Sequence, residues 1–145
     1  MDLKGKKILV VGGGGLIGSH TVDRLCQEDV ESIVVYDNFF RGREENLKAA
    51  MTDPRVSIHE VGGDLLHTDI LSGAMKGVDG VFHFAALWLL QCHDFPRSAF
   101  DVNIRGTFNV MEACVAQGVQ RLVYSSSASV YGDAMYEPMD EDHPY

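Results

Sequence analysis

The sequence predicts an α/β domain: a doubly wound parallel sheet with helices on both faces. Three observations point there. Short β-branched apolar runs alternate with longer runs of helical periodicity. The short runs are apolar at successive positions, as in strands covered on both sides. The first of them runs straight into a glycine-rich turn that opens a helix. Right-handed crossovers then give the strand order 3-2-1-4-5.

The elements follow in order. "KKILVV" (6–11) reads as a buried strand, and after the glycines a helix runs from about Leu16 to Gln27. "SIVVY" (32–36) is the second strand, and "REENLKAAM" (43–51) a short helix with a polar face. "RVSIHEV" (55–61) is the third strand. "LHTDILSGAM" (66–75) is a helix with His67 or Thr68 at its start. "GVDGVFHFAA" (77–86) is the fourth strand. A long helix spans Pro96 to Gln117, with Val102, Phe108, Val110, Met111 and Cys114 among its apolar positions. "QRLVYSS" (120–126) is the fifth strand, and the remainder reads as loop. No repeat, linker or low-complexity stretch interrupts the pattern, so residues 1–145 form one domain.

The gross numbers agree. The chain has 145 residues, 46% hydrophobic and 23% charged, which suits one globular domain with a buried core. No apolar run approaches the roughly 20 residues of a membrane span, and the run after the N-terminal lysines is too short for a signal segment. The net charge is −9, and no basic stripe suggests nucleic acid. Lys4, Lys6 and Lys7 read as a solvated cluster. The three cysteines, Cys26, Cys92 and Cys114, are odd in number and widely spaced. That supports neither a metal site nor a disulfide framework, and a reducing, cytoplasmic setting is expected. Cys26 and Cys114 fall in apolar helical patterns and read as small core residues.

The glycine turn carries the chemistry. In "VVGGGGLIGSH", Gly13, Gly15 and Gly18 fit GxGxxG, while Gly12, Gly15 and Gly18 fit GxxGxxG. A side-chain-free turn lets the backbone approach a diphosphate. The helix opening at Leu16 and Ile17 then offers free N–H groups and a positive dipole end to the anion. Asp37 ends the second strand 19 residues after Gly18 (37 − 18), the spacing of an acid that bonds the ribose hydroxyls of NAD. A carboxylate there repels the extra phosphate of NADP. Arg41 and Arg43 follow closely and would accept one, so NADP stays open behind the favoured NAD.

Several motifs stand in sequence: "GGGGLIGSH", "YDNFFRGREENL", "GGDLLHTD", "VFHFAAL", "NIRGTFNVMEAC" and "VYSSSASVYG". Together they resemble the extended short-chain dehydrogenase/reductase family, of Rossmann-like fold, in particular its NAD-dependent nucleotide-sugar epimerases and dehydratases. The resemblance implies roles. Gly12, Gly15 and Gly18 match the phosphate-binding glycines. Asp37 and Asn38 match the adenosine-ribose contacts, and Asp64 and Leu65 the pair beside the adenine. Ala85 and Ala86 match the backbone near the nicotinamide ribose. Asn103 matches an asparagine that braces the active site. Ser127 matches the catalytic Ser/Thr, with Ser125 and Ser126 beside the cofactor. One departure is Val11, where the family usually has threonine. On the residues alone, Asp64 would cap a turn, Asn103 would face solvent, His83 would pack at a strand end, and Trp88 would be core or substrate-side packing.

The resemblance also implies a tyrosine and lysine as YxxxK, which this sequence lacks. Four residues after Tyr36, Tyr124, Tyr131 and Tyr136 stand Phe40, Ala128, Met135 and Asp140, and Tyr145 is last. The expectation is an N-terminal cofactor-binding part of a longer enzyme, without the proton-transfer helix and substrate domain. Such a part would bind NAD weakly or not at all and be inactive alone. Relatives that remove water place Asp-Glu after the catalytic residue, whereas here Ala128 and Ser129 follow. An epimerase acting on a nucleotide sugar by transient hydride transfer is therefore expected. A steroid or other reductase, or a non-catalytic NAD(P) sensor, is the alternative. The family's dimer contact implies a homodimer through the 96–117 helix.

Overall fold

Five of the apolar runs become the strands of one parallel sheet. They are β1 (Lys7–Val11), β2 (Ser32–Tyr36), β3 (Val56–Ile58), β4 (Gly80–His83) and β5 (Arg121–Tyr124), in the order β3-β2-β1-β4-β5. A computed structural model describes residues 1–144; Tyr145 lies outside them. Central β1 pairs Val10 with Val35 on one side and with Phe82 on the other. Alternate residues of each strand point to opposite faces, and both faces are apolar, so both must be covered.

Helices do this. On one face Ile8, Val10, Ile33 and Val35 pack with Val22 and Leu25 of α1 (Leu16–Leu25) and with Leu47 and Ala50. On the other, Leu9, Val11 and Val81 pack with Leu71 and Ala74 of α2 (Thr68–Ala74) and with Val110, Ala113 and Cys114. Each large side chain so buried contributes about 1.5–3 kcal/mol.

The helix expected over 96–117 is present, but in three parts. These are α4 (Pro96–Ala99), a π-helical segment (Phe100–Gly106) and α5 (Thr107–Gln117), which ends on Gly118 at φ 71°. Val110 and Cys114 are buried, whereas Phe108 and Met111 point outward. A short α3 (Leu89–Asp94) precedes it and was not expected. The helix expected over 43–51 is instead two 3-10 turns, Glu44–Leu47 and Ala50–Thr52. Only Leu47 and Ala50 are buried there, and a three-residue spacing suits the 3-10 period.

Several strands are shorter than their apolar runs. Arg55 is spent on the end of α1, its guanidinium donating to the carbonyls of Cys26 and Glu28 at 2.7 and 2.8 Å and pairing with Asp53 at 2.7 Å. β4 starts only at Gly80, after Gly77 at φ 74°. Cys26 sits partly exposed just past α1, at the rim of the core rather than within it. Lys6 and Lys7 are paired with Asp79 and Glu31 at 3.0 and 3.2 Å, not simply solvated. No helix among the described residues is long and apolar enough to cross a membrane.

His83 packs at the end of β4, as read from the sequence, with no accessible surface. Its Nε2 lies 3.0 Å from Thr107 Oγ1, tying the strand end to the start of α5. Burial pushes the imidazole down to about 4. The native ring is therefore neutral where the unfolded ring, at its ordinary value near ~6.5, takes a proton. Stability is full above that value and falls as pH drops through the window down to about 4. Urea unfolding should lose about 2 kcal/mol of stability from this group between pH 7 and pH 5. His83→Gln should lose correspondingly less over the same interval. Equal losses in the two proteins would contradict the assignment.

Candidate functional site

The C-terminal ends of β1, β2 and β4 open on a groove of about 740 Å³. Its floor is the β1–α1 turn. Gly12 takes φ 80° and donates its N–H to the Tyr36 carbonyl at 2.8 Å. A Cβ on Gly12 would lie 2.5 Å from the Ala85 nitrogen, and one on Gly18 would overlap the Gly12 carbonyl oxygen. Both positions require glycine, because backbone meets backbone there. Gly15 caps α1 in an extended conformation, and the first helical bond runs from Ser19 N–H to Gly15 O at 2.9 Å. The N–H groups of Leu16, Ile17 and Gly18 precede that bond, and all three residues line the groove.

Asp37 stands beside this turn at the end of β2. Its Oδ2 accepts from Gly14 N–H at 2.8 Å and its Oδ1 from Phe39 N–H at 2.7 Å. Asn38 Oδ1 accepts from Phe40 N–H at 3.0 Å. The following loop is fastened back to the turn, since Gly14 O accepts from Arg43 N–H at 3.0 Å and Asn46 Nδ2 at 2.8 Å.

Asp64 caps its own turn, its Oδ1 accepting from Leu66 N–H at 2.9 Å. Its carbonyl accepts the Tyr36 hydroxyl at 2.9 Å. Burial, then the Asp64 charge, pushes that phenol up to about 12. The Leu65 carbonyl accepts Asn109 Nδ2 at 2.9 Å.

Asn103 does not face solvent. From the π-helical segment its Oδ1 accepts Leu87 N–H at 2.7 Å, and its Nδ2 donates to Leu87 O at 2.9 Å. The amide thus replaces a strand neighbour for Leu87 and holds the segment of Ala85, Ala86 and Leu87, which forms one wall. Asn103 stands behind that wall rather than in it.

The structure therefore brings together Gly12, Gly15, Leu16, Ile17, Gly18, Asp37, Asn38, Asp64, Leu65, Ala85 and Ala86. It does not bring Ser125, Ser126 and Ser127 to the same groove. These three are exposed beyond β5. Ser125 N–H reaches the His83 carbonyl at 3.3 Å, and Ser127 Oγ accepts Ser129 N–H at 3.2 Å, capping a 3-10 turn over Ala128–Tyr131.

Sequence reasoning passed over Gly63, where a Cβ would overlap the Asp37 carbonyl. The paired glycines after the third strand were the available signal. It also passed over Phe40, Asn46 and Ser98 of the lining, took Val102 only as an apolar helix position, and left Trp88, whose ring lies under Arg41, between core and substrate-side packing. No signal in the sequence marked these.

The glycine cradle, the unspent N–H groups and the neighbouring carboxylate fit an elongated diphosphate ligand bearing a ribose. Among the described residues no group of three His, Cys, Asp or Glu is placed to hold a metal ion.

Comparison with known proteins agrees with this geometry. A profile of the 3-beta hydroxysteroid dehydrogenase/isomerase family matches residues 9–144. UDP-glucose 4-epimerase of Mus musculus is 37% identical, aligned with 96% of this chain and 42% of that protein. The chain thus spans under half the length of this curated relative. A UDP-glucose 4-epimerase from Stenotrophomonas maltophila, solved with NAD and a formylated UDP-arabinopyranose, is 32% identical with a TM-score of 0.83, over 94% of this chain and 41% of that one. The dTDP-glucose 4,6-dehydratase of Streptomyces venezuelae, solved with NAD, is 30% identical with a TM-score of 0.85, over 95% and 44%. The chain belongs to the 3-beta hydroxysteroid dehydrogenase/isomerase family and, with these nucleotide-sugar relatives, to the extended short-chain dehydrogenase/reductases that its motifs resemble.

Proposed function

We propose that this chain is the NAD-binding part of a cytoplasmic nucleotide-sugar epimerase that works by transient hydride transfer. The observation that carries the reading is the free N–H turn of Leu16, Ile17 and Gly18 set beside the fixed carboxylate of Asp37 in one groove.

In this reading the N–H groups of that turn hold the diphosphate, and Asp37 accepts the adenosine-ribose hydroxyls. Asp64 and Leu65 lie along the adenine, and the wall of Ala85 and Ala86 lies along the other ribose. NAD, when bound, supplies reversible hydride acceptance. Ser127, with Ser125 and Ser126 beside it, turns from its capping bond to Ser129 and donates to the substrate oxygen, holding it in line. The proton on that oxygen goes to a tyrosine assisted by a lysine, groups we assign to a continuation of the chain together with the substrate domain. In the longer protein, Ser127→Ala should lower kcat by roughly 10²-fold with little change in KM for the nucleotide sugar.

Epimerisation is favoured over water loss because Ala128 and Ser129 replace the acid pair expected after the catalytic hydroxyl. The family description also supports a second reading, oxidation of a steroid hydroxyl. Assay of the longer protein separates them. Interconversion of nucleotide sugars without net NADH release supports the first, and stoichiometric NADH release overturns it.

The 145-residue chain alone should bind NAD measurably, but no tighter than micromolar, and show no turnover, since in this reading the groups that close the nicotinamide side belong to the tyrosine–lysine helix and the substrate domain. Calorimetry giving sub-micromolar affinity would contradict this.

A homodimer through the 96–117 helix completes the proposal. Phe100, Ile104, Phe108, Met111 and Val115 are all exposed at helical spacing, Val115 at 84%. Such a stripe calls for a partner. Light scattering should give a mass above the 16.0 kDa of one chain, and Ile104→Glu with Phe108→Glu should return it to that value. A wild-type monomer at high concentration would refute the contact.

A further inference from the structure

His143 is the buried centre of the segment that follows the serine turn. Its ring is 3% exposed, although residues 132–142 are all exposed. Both ring nitrogens are bonded. Met135 N–H donates to Nε2 at 3.0 Å, and Nδ1 lies 2.8 Å from the Pro144 carbonyl. An amide N–H can only donate and a carbonyl can only accept. The two bonds together therefore require one form of the ring: neutral, with its proton on Nδ1 and a lone pair on Nε2.

Two tyrosine rings enclose this imidazole. Tyr131 meets it edge to face with centroids 5.6 Å apart, and Tyr136 leans on it at 4.9 Å. Tyr131 is the last residue of the 3-10 turn Ala128–Tyr131, whose cap is Ser127. Bonds within that turn are short-range, Val130 N–H donating to the Ser127 carbonyl at 3.1 Å and Gly132 N–H to the Ser129 carbonyl at 3.3 Å. The contact of Tyr131 with His143 joins the turn to the segment beyond, and the Met135 bond holds His143 there.

A proton on Nε2 would undo this. It would point at the Met135 N–H, donor against donor, and the amide would lose its acceptor. Around the ring stand Tyr131, Tyr136 and, accepting the Tyr136 hydroxyl at 2.7 Å, Asp140. That bond pushes the Tyr136 phenol up, away from neutral pH. Between about pH 5 and about pH 8, histidine is the side chain of this set whose charge changes.

We infer that His143 is the positioning residue of the serine turn and holds it only as a neutral ring. This requires no ligand in the groove. On the function proposed above, the turn so held is the one that presents Ser127.

NMR of the labelled 145-residue chain between about pH 8 and about pH 5 tests it. The amides of Met135, Ser129 and Val130 should move with the midpoint of the His143 ring. Protection of the Met135 N–H against exchange, corrected for its intrinsic rate, should fall about tenfold on the acid side. His143→Gln puts an uncharged amide oxygen within reach of the Met135 N–H, and should keep the three amides in place across the range. His143→Ala should show at the upper end what the wild type shows only in acid. A Met135 amide that ignores the His143 ring overturns the inference, as do serine-turn amides that stay still while Met135 moves. A His143→Gln chain that responds to acid like the wild type overturns it too. So do β1 amides at Leu9 and Val10 that move in step with Met135, since the change would then be global.

Discussion

The site depends on backbone passing directly against backbone. Gly18 of α1 rests on the carbonyl of Gly12, Gly12 rests on the backbone of Ala85, and Gly63 rests on the carbonyl of Asp37. At each crossing a methyl group would force the elements apart. The first contact sets how closely α1 lies on β1 and where its N-terminus points. The second brings the end of β4 alongside, and the third brings the turn after β3 under Asp37. Three absent side chains thus decide that three strand ends share one groove.

The long helix supplies the second constraint. Asn103 holds Leu87 from the π-helical segment, and Thr107, four residues on, holds His83. One helix therefore fixes both the end of β4 and the wall that leaves it. A wider helical turn at Phe100–Gly106 shifts the register of the side chains that follow, a distortion often found where a helix serves a site. Buried, neutral His83 makes this bracing a feature of neutral pH, because protonation would place a charge in a position closed off from water.

Much of this was legible in the sequence for physical reasons. Strand order followed from strands apolar on both faces and from crossover handedness, and Gly12, Gly15, Gly18 and Asp37 followed from a turn chemistry with few solutions. The short helix over 43–51 was misread because periodicity over so few residues does not separate a helix from two tight turns. There, the side chain of Asn46 reaches Gly14, a tertiary contact no local pattern announces. On the residues alone Asn103 read as solvent-facing, since its partner Leu87 is 16 residues away in sequence. The Arg41–Trp88 contact was illegible for the same reason, joining loops from two strands that are not neighbours.

The groove sets the open N-terminus of α1 beside the Asp37 carboxylate at the end of β2, an arrangement that, in the proposed reading, takes a ribose-bearing diphosphate. Amide chemical-shift mapping of the labelled chain titrated with NAD tests that assignment most directly. The account predicts shifts concentrated at residues 12–18, 37–43, 63–65 and 85–88, with the opposite end of the sheet unmoved. Shifts absent from the glycine turn, or centred on residues remote from it, would contradict it.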